Sequence, residues 1–228
     1  MNPVELSPDA KAAVRALEDG EIGWTLHSGC DFSSDPGQWG ASLVNHAELM
    51  LACLDAARAR SVAEIGAYAG DLTALLLDWA DRAGAHVSAI DPSPQEELVQ
   101  LAAERPALDL FRETSIQALA HIELPDAIVI DGDHNYYTVS EELRLIGEKA
   151  AGSALPLLIF HDVSWPHARR DDYYAPDQIP DEFRQPTTEG GGLFPGVRGV
   201  RRGGIPYRWP ASREGGPRNG VLTAIEDF

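Results

Sequence analysis

Two short stretches of this chain carry residue types suited to metal and acid–base chemistry. One is Asp131-Gly132-Asp133-His134 and the other is His161-Asp162. Each follows an apolar run of the length of a buried strand, over residues 127–131 and 155–160. Carboxylates offer hard oxygens to a divalent ion such as Mg²⁺, which keeps open positions for water or substrate. An ion bound to a substrate hydroxyl lowers its pKa, and a neighbouring imidazole can accept the proton. Asp131 and Asp162 are the first candidates for ligands, with His161 beside them. Asp133 can equally be an exposed turn residue, and His161 a satisfied core histidine.

A third stretch suits binding rather than reaction. Glu64-Ile65-Gly66-Ala67-Tyr68-Ala69-Gly70 sits where a strand turns into a helix. Glycines at such a turn let backbone approach a nucleotide-like ligand. Tyr68 stands where the dinucleotide fingerprint has its middle glycine, and no phosphate-binding Lys follows. The pattern points away from NAD and ATP and towards S-adenosylmethionine (SAM). Asp91, at the end of the next strand, can take both ribose hydroxyls, although NAD recognition would use an acid there too. Glu64 can anchor the ligand directly or through the glycine loop. Glu64 and Asp91 can also serve only to cap and fix their loops.

The elements that must position these residues alternate. Strands are expected over 61–67, 86–91, 108–112, 127–131 and 155–160. Between them lie helices over 71–82, after a Ser93-Pro94-Gln95-Glu96 capping box, over 116–121, and from a Thr138-Val139-Ser140-Glu141 capping box to about 151. Such alternation implies an α/β fold, Rossmann-like and doubly wound, with helices on both faces of a mostly parallel sheet. The expected sheet has seven strands, the last, over 221–225, antiparallel. Polar residues then fall at successive strand ends, with Thr114 and Ser115 after the third, and ligands of open parallel sheets bind there.

Helices are expected over 10–19 and 41–59, with an aromatic and turn-rich loop over 21–40. A long excursion over 163–219 bears Trp165, Arg169, Arg170, Tyr173, Tyr174 and Phe183, either as a substrate lid or as a surface segment pairing arginines with acids. Glu214-Gly215-Gly216-Pro217-Arg218-Asn219-Gly220 can reach the site or be only a turn. The whole is expected to be a single domain over 1–228: a helical cap over 1–59, a cofactor-binding core over 60–162, a lid over 163–219 and a last strand over 220–228.

Composition narrows the partners. Of 228 residues 44% are hydrophobic, enough for a substantial core. The net charge of −18 repels nucleic acid and anionic membranes and favours a small neutral or cationic ligand. Cys30 and Cys53 lack CxxC spacing, which argues against a zinc or redox site, and Cys53 falls in an apolar helical pattern as a core residue. Neither a secretory leader nor a membrane-length apolar run is legible, so the expected location is cytoplasmic.

These motifs resemble class I SAM-dependent methyltransferases. The Glu64–Gly70 loop is similar to the glycine motif of catechol and caffeoyl-CoA O-methyltransferases, where Tyr also stands between the glycines. Asp131-Gly132-Asp133-His134 with His161-Asp162 is closer to metal-dependent O-methyltransferases of macrolide sugars and to the related cephalosporin-pathway family. The resemblance covers about residues 60–165. It implies methyl transfer from SAM to a hydroxyl of a small molecule, a natural-product or sugar intermediate, by a protein that often pairs as a homodimer. Carried over, Glu64, Gly66, Tyr68, Gly70, Asp91, Ser115 and Asp131 bind SAM. Asp131 and Asp162, with His161 beside them, hold Mg²⁺, and His134 is the base. His161 stands where that family usually has Glu, which shifts metal preference towards transition metals. A metal-independent N-methyltransferase, an NAD-dependent oxidoreductase and a non-catalytic binding module are the other readings.

Overall fold

The computed structural model describes residues 42–188, 192–193, 205–206 and 209–228. The helix expected over 10–19 and the loop over 21–40 lie outside them. Ser42 caps a 3-10 turn, Leu43–His46, by accepting the Val44 N–H at 3.3 Å. Helix α1, Ala47–Ala57, continues it and buries Ala47, Met50 and Leu54, one helical stripe. Cys53 is a half-buried free thiol rather than a core residue.

From there strands and helices alternate: β1 (Ser61–Ile65), α2 (Asp71–Ala83), β2 (His86–Ile90), α3 (Glu96–Glu104), β3 (Leu108–Phe111), α4 (Ser115–His121), β4 (Ala127–Ile130), α5 (Tyr136–Lys149) and β5 (Leu157–Phe160). The five strands pair in parallel in the order β3-β2-β1-β4-β5. Chain order reverses between β1 and β4, the kind of place where open α/β sheets bind ligands. Strands covered on both faces read as unbroken apolar runs, and all of β4 is buried. Val62, Val87, Ala127 and Val129 pack in one core with Leu54, Leu76 and Trp79. Ala63, Ile65, Ile128 and Ile130 pack in the other with Ala118, Leu119 and Ile146. Period-two alternation along each strand thus feeds two separate helical layers.

The ladder extends one residue past the strands. Gly66 N–H donates to Ile90, Asp91 N–H to Phe111, Asp131 N–H to Ile65 and His161 N–H to Ile130, all at 2.9–3.0 Å. Gly66, Asp91, Asp131 and His161 therefore stand in a row at the carboxyl edge.

Three local expectations are corrected. Among the described residues the sheet has five strands, not seven, and the segment expected as an antiparallel last strand is a helix, α6, Val221–Asp227. Its buried residues, Val221, Thr223 and Ala224, fit a turn of helix, and the Thr223 hydroxyl donates back to the Asn219 carbonyl. Ser93 forms no capping box. Its N–H is taken by Asp91 at 2.7 Å in an Asx turn, and α3 starts from Gln95 without a side-chain cap. Nor does Thr138 open α5: Asn135 does, its Oδ1 accepting the Thr138 N–H at 2.9 Å. A true capping box, Thr114 with Gln117, starts α4.

The described chain divides into two compact units. One holds the sheet: residues through Gly132, plus Glu141–His161. The other takes Asp133–Ser140 and Asp162–Phe228 and includes a two-stranded antiparallel ribbon of β6 (Gly192–Leu193) and β7 (Ile205–Pro206). Its interior includes a buried polar network. Asp171 is fully buried and accepts from Tyr136 N–H, Gly220 N–H and Tyr173 hydroxyl at 2.6–2.8 Å, while Asn219 accepts the Asp171 N–H. The 214–220 segment is thus a structural anchor. Arg169 pairs with Glu226 and Arg170 faces Glu214, as a charge-pairing segment would, but Arg170, Asp171 and Tyr173 are core rather than surface.

Candidate active site

In the sheet unit, β1 delivers Glu64 into a buried position, 3% exposed, where Thr73 Oγ1 donates to its Oε2 at 2.6 Å. Burial pushes the Glu64 carboxyl up to about 8, the Thr73 hydrogen bond opposes that, and Asp131, Asp91 and Asp71 add repulsion. Such a site gains from a positive neighbour. The following loop is shaped by sterics. Gly66 has φ +87°, and a Cβ there would meet the Asp131 carbonyl oxygen at 2.2 Å. Gly70, at φ +88°, brings the start of α2 against Leu98. Tyr68, exposed and itself at φ 44°, donates its N–H to Asp91 Oδ2 at 2.8 Å. Asp91 therefore ties the glycine loop to the exit of β2, using one lone pair on each oxygen and leaving others for a ligand. Ser115 is buried in the first turn of α4. Asp131 Oδ1 lies 3.0 Å from His161 Nδ1, with the two side chains 27% and 23% exposed.

The other unit holds the expected base. His134 Nε2 is 2.9 Å from Asp162 Oδ2, each side chain 17% exposed. The His134 ring also lies 4.4 Å from that of His167 and 5.5 Å from that of Tyr174, tilted at 39° and 55°. Asp172 is buried, its N–H donated to the His134 carbonyl and its Oδ1 accepting from Trp209 N–H. Burial pushes Asp172 up to about 6 against the pull of His134, and does the same for Asp171. Asp133, expected as an exposed turn residue, is largely withdrawn from solvent. Burial raises its pKa although Thr138 donates to it at 3.0 Å.

The expected residues are divided between the two compact units. Glu64, Gly66, Tyr68, Gly70, Asp91, Ser115, Asp131 and His161 belong to the sheet unit, and His134 and Asp162 to the other. Of the expected metal ligands, Asp131 pairs with His161, whereas Asp162 pairs with His134. His167, Asp172 and Asp171 were not singled out from sequence. The one signal was a histidine followed closely by adjacent aspartates in an otherwise turn-rich stretch.

Residues 63–163 match the family model described as a methyltransferase domain. No curated protein sequence matches the chain. Among solved structures, the 1,6-didemethyltoxoflavin-N1-methyltransferase of Burkholderia thailandensis, bound to 1,6-didemethyltoxoflavin and S-adenosylhomocysteine, is 19% identical at a TM-score of 0.38. That match covers 65% of this chain and 62% of that one. The S-adenosylhomocysteine-bound methyltransferase PaMTH1 of Podospora anserina is 14% identical at 0.45, over 69% and 71%. The fibrillarin pre-rRNA processing protein of Methanococcus jannaschii is 22% identical at 0.33, over 44% and 41%. The chain spans less than two thirds of the length of the toxoflavin and fibrillarin proteins. No helix among the described residues is long and apolar enough to cross a membrane. The family match begins in β1 and runs through the glycine loop and every strand exit to Val163, so the similarity to methyltransferase domains lies in residues 63–163.

Proposed function

We propose that the protein moves the methyl group of SAM to a hydroxyl oxygen of a small molecule, a natural-product or sugar intermediate. The observation that carries the reading is the His134–Asp162 pair at 2.9 Å. A carboxylate on one ring nitrogen fixes the imidazole tautomer and stabilises the imidazolium once the ring has accepted a proton. In the reaction the acceptor oxygen attacks the sulfonium methyl in line. The O–C bond forms, the S–C bond breaks with its electron pair going to sulfur, and S-adenosylhomocysteine leaves. His134 takes the hydroxyl proton. Alignment of acceptor, methyl and sulfur supplies much of the rate.

The sheet unit supports the cofactor assignment. Glu64, in its acid-rich pocket, favours the cationic sulfonium and ammonium of SAM. Asp91 has lone pairs left for the ribose hydroxyls, and Gly66, Tyr68, Gly70 and Ser115 shape the loops around them. The finer part of the proposal is a divalent ion, Mg²⁺, on Asp131 with His161 beside it. Asp131 fits such an ion, since it presents a hard, partly exposed carboxylate. When bound, the ion would acidify the acceptor hydroxyl. Asp162, the further proposed ligand, lies 2.9 Å from His134. The net charge of −18 supports a small acceptor over nucleic acid. A homodimer belongs to the proposal and is tested by light scattering.

The test is His134→Ala. Calorimetry should show SAM binding unchanged while turnover falls by about 10²–10⁴-fold, the usual contribution of a positioned base. Full turnover in this variant would remove His134 from the mechanism.

A further inference from the structure

His134, His167 and Asp172 offer more than a base needs. One donor atom from each lies within 4.8 Å of the others. His167 is 4% exposed and Asp172 9%. The two rings stand 4.4 Å apart at 39°. Their backbone is held in place, with the Asp172 N–H on the His134 carbonyl at 2.9 Å and the Ala168 N–H on Ser164 at 2.7 Å. Next to Asp172, Asp171 is tied to Asn219 and Gly220. Protonating both rings would set like charges side by side in a buried place, which is costly. One cation shared by two nitrogens and a carboxylate satisfies all three. Asp162, 2.9 Å from His134, adds further negative charge.

We infer that this cluster binds a transition-metal dication of the Zn²⁺, Co²⁺ or Ni²⁺ class. Two imidazoles and one carboxylate suit such ions better than Mg²⁺, which prefers oxygen. Tetrahedral coordination at about 2.1 Å places donors about 3.4 Å apart, so side-chain rotations of about an ångström close the site. A neutral imidazole has one lone pair. Metal on His134 takes it, and the ring can no longer accept a proton. Metal binding does not depend on the methyl-transfer reading; the inhibition that follows from it does.

The test titrates metal-free full-length protein with Co²⁺ and follows ligand-field absorption. The bands should rise to saturation. His167→Ala and the isosteric Asp172→Asn, checked for folding by circular dichroism, should weaken binding about tenfold or more. Asp131→Asn should leave it unchanged. Absence of bands in the wild type overturns the site even if a variant fails to fold. So do unchanged bands in folded His167→Ala, or bands lost in Asp131→Asn alone. Methyl transfer is then measured in the Co²⁺-saturated wild type. Loss of transfer joins the two readings, whereas full transfer with the bands present retains the metal site and removes His134 as base.

Discussion

Glu64 is the group whose environment makes the sharpest quantitative prediction, and Glu64→Gln tests it. The folded protein holds this carboxyl at about 8, against an ordinary value of 4.5. Between those values the native state keeps a proton that the unfolded chain releases. Stability therefore falls as pH rises, by about 1.4 kcal/mol per pH unit, and the loss is complete above about 8. Asp171 and Asp172, both raised to about 6, act in the same direction but at lower pH. In the window from pH 6 to 8 Glu64 therefore contributes the larger part of the change, and it alone acts from pH 7 upward. Across that window Glu64 should cost the wild type about 2 kcal/mol, or roughly 4–8 °C of melting temperature for a chain of this size.

Gln is nearly isosteric, still accepts the Thr73 hydroxyl and carries no charge. Glu64→Gln should therefore flatten the profile between pH 6 and 8 and melt above the wild type at pH 8. Urea unfolding followed by tryptophan fluorescence includes a reporter in the sheet unit, Trp79, which is 2% exposed and bonded through Nε1 to Asp55 at 2.8 Å. Parallel slopes in the two proteins would refute the argument that Glu64 is protonated when folded. The same substitution should weaken SAM binding more at pH 9 than at pH 6, since the wild-type carboxylate is available to a cation only after it loses its proton.

Other outcomes can be checked alongside. Gly66→Ala meets both a left-handed backbone and the Asp131 carbonyl, so it should cost more than the strain alone, about 1–3 kcal/mol, and lower SAM affinity. Gly84→Ala, at φ +61° with nothing within 4 Å, is its control, and equal thermal losses in the two would contradict the close-approach argument. Asp162→Asn should cut turnover by about 10²–10⁴-fold at unchanged SAM affinity, and move the acidic limb of the rate profile to lower pH as the imidazolium loses its carboxylate. EDTA should abolish transfer and Mg²⁺ restore it, with Asp131→Asn insensitive to added Mg²⁺; indifference of the wild type to EDTA would favour metal-free transfer.

The sheet was legible because both its faces are covered. A strand such as β4 must then be apolar throughout, and short apolar runs spaced by capped helices leave few alternatives. Strand exits were legible for the same reason, since polarity returns where burial stops. Misreadings came where local chemistry competes. Val221–Asp227 holds enough Val, Leu, Thr and Ile to suggest a strand. Its interactions instead come at helical spacing, Asn219 with Thr223 and Arg169 with both Thr223 and Glu226. Thr138 and Ser93 have the composition of caps, but Asn135 and Asp91 stand closer to the donors that need an acceptor.

The polar character of the strand exits was legible, but the pairing of their side chains was not. His161 and Asp162 are neighbours in sequence and were read together as ligands. The ladder continues through His161, whose N–H still bonds to Ile130. At Asp162 the backbone turns to φ 55°, a left-handed conformation uncommon for a residue with a side chain. The two side chains therefore find different partners, His161 taking Asp131 and Asp162 taking His134. The second of these pairings gives the proposed base its carboxylate. His167 and Asp172 were invisible for a related reason: what collects them around His134 is a set of loop hydrogen bonds, and loop bonds have no period in the sequence to announce them.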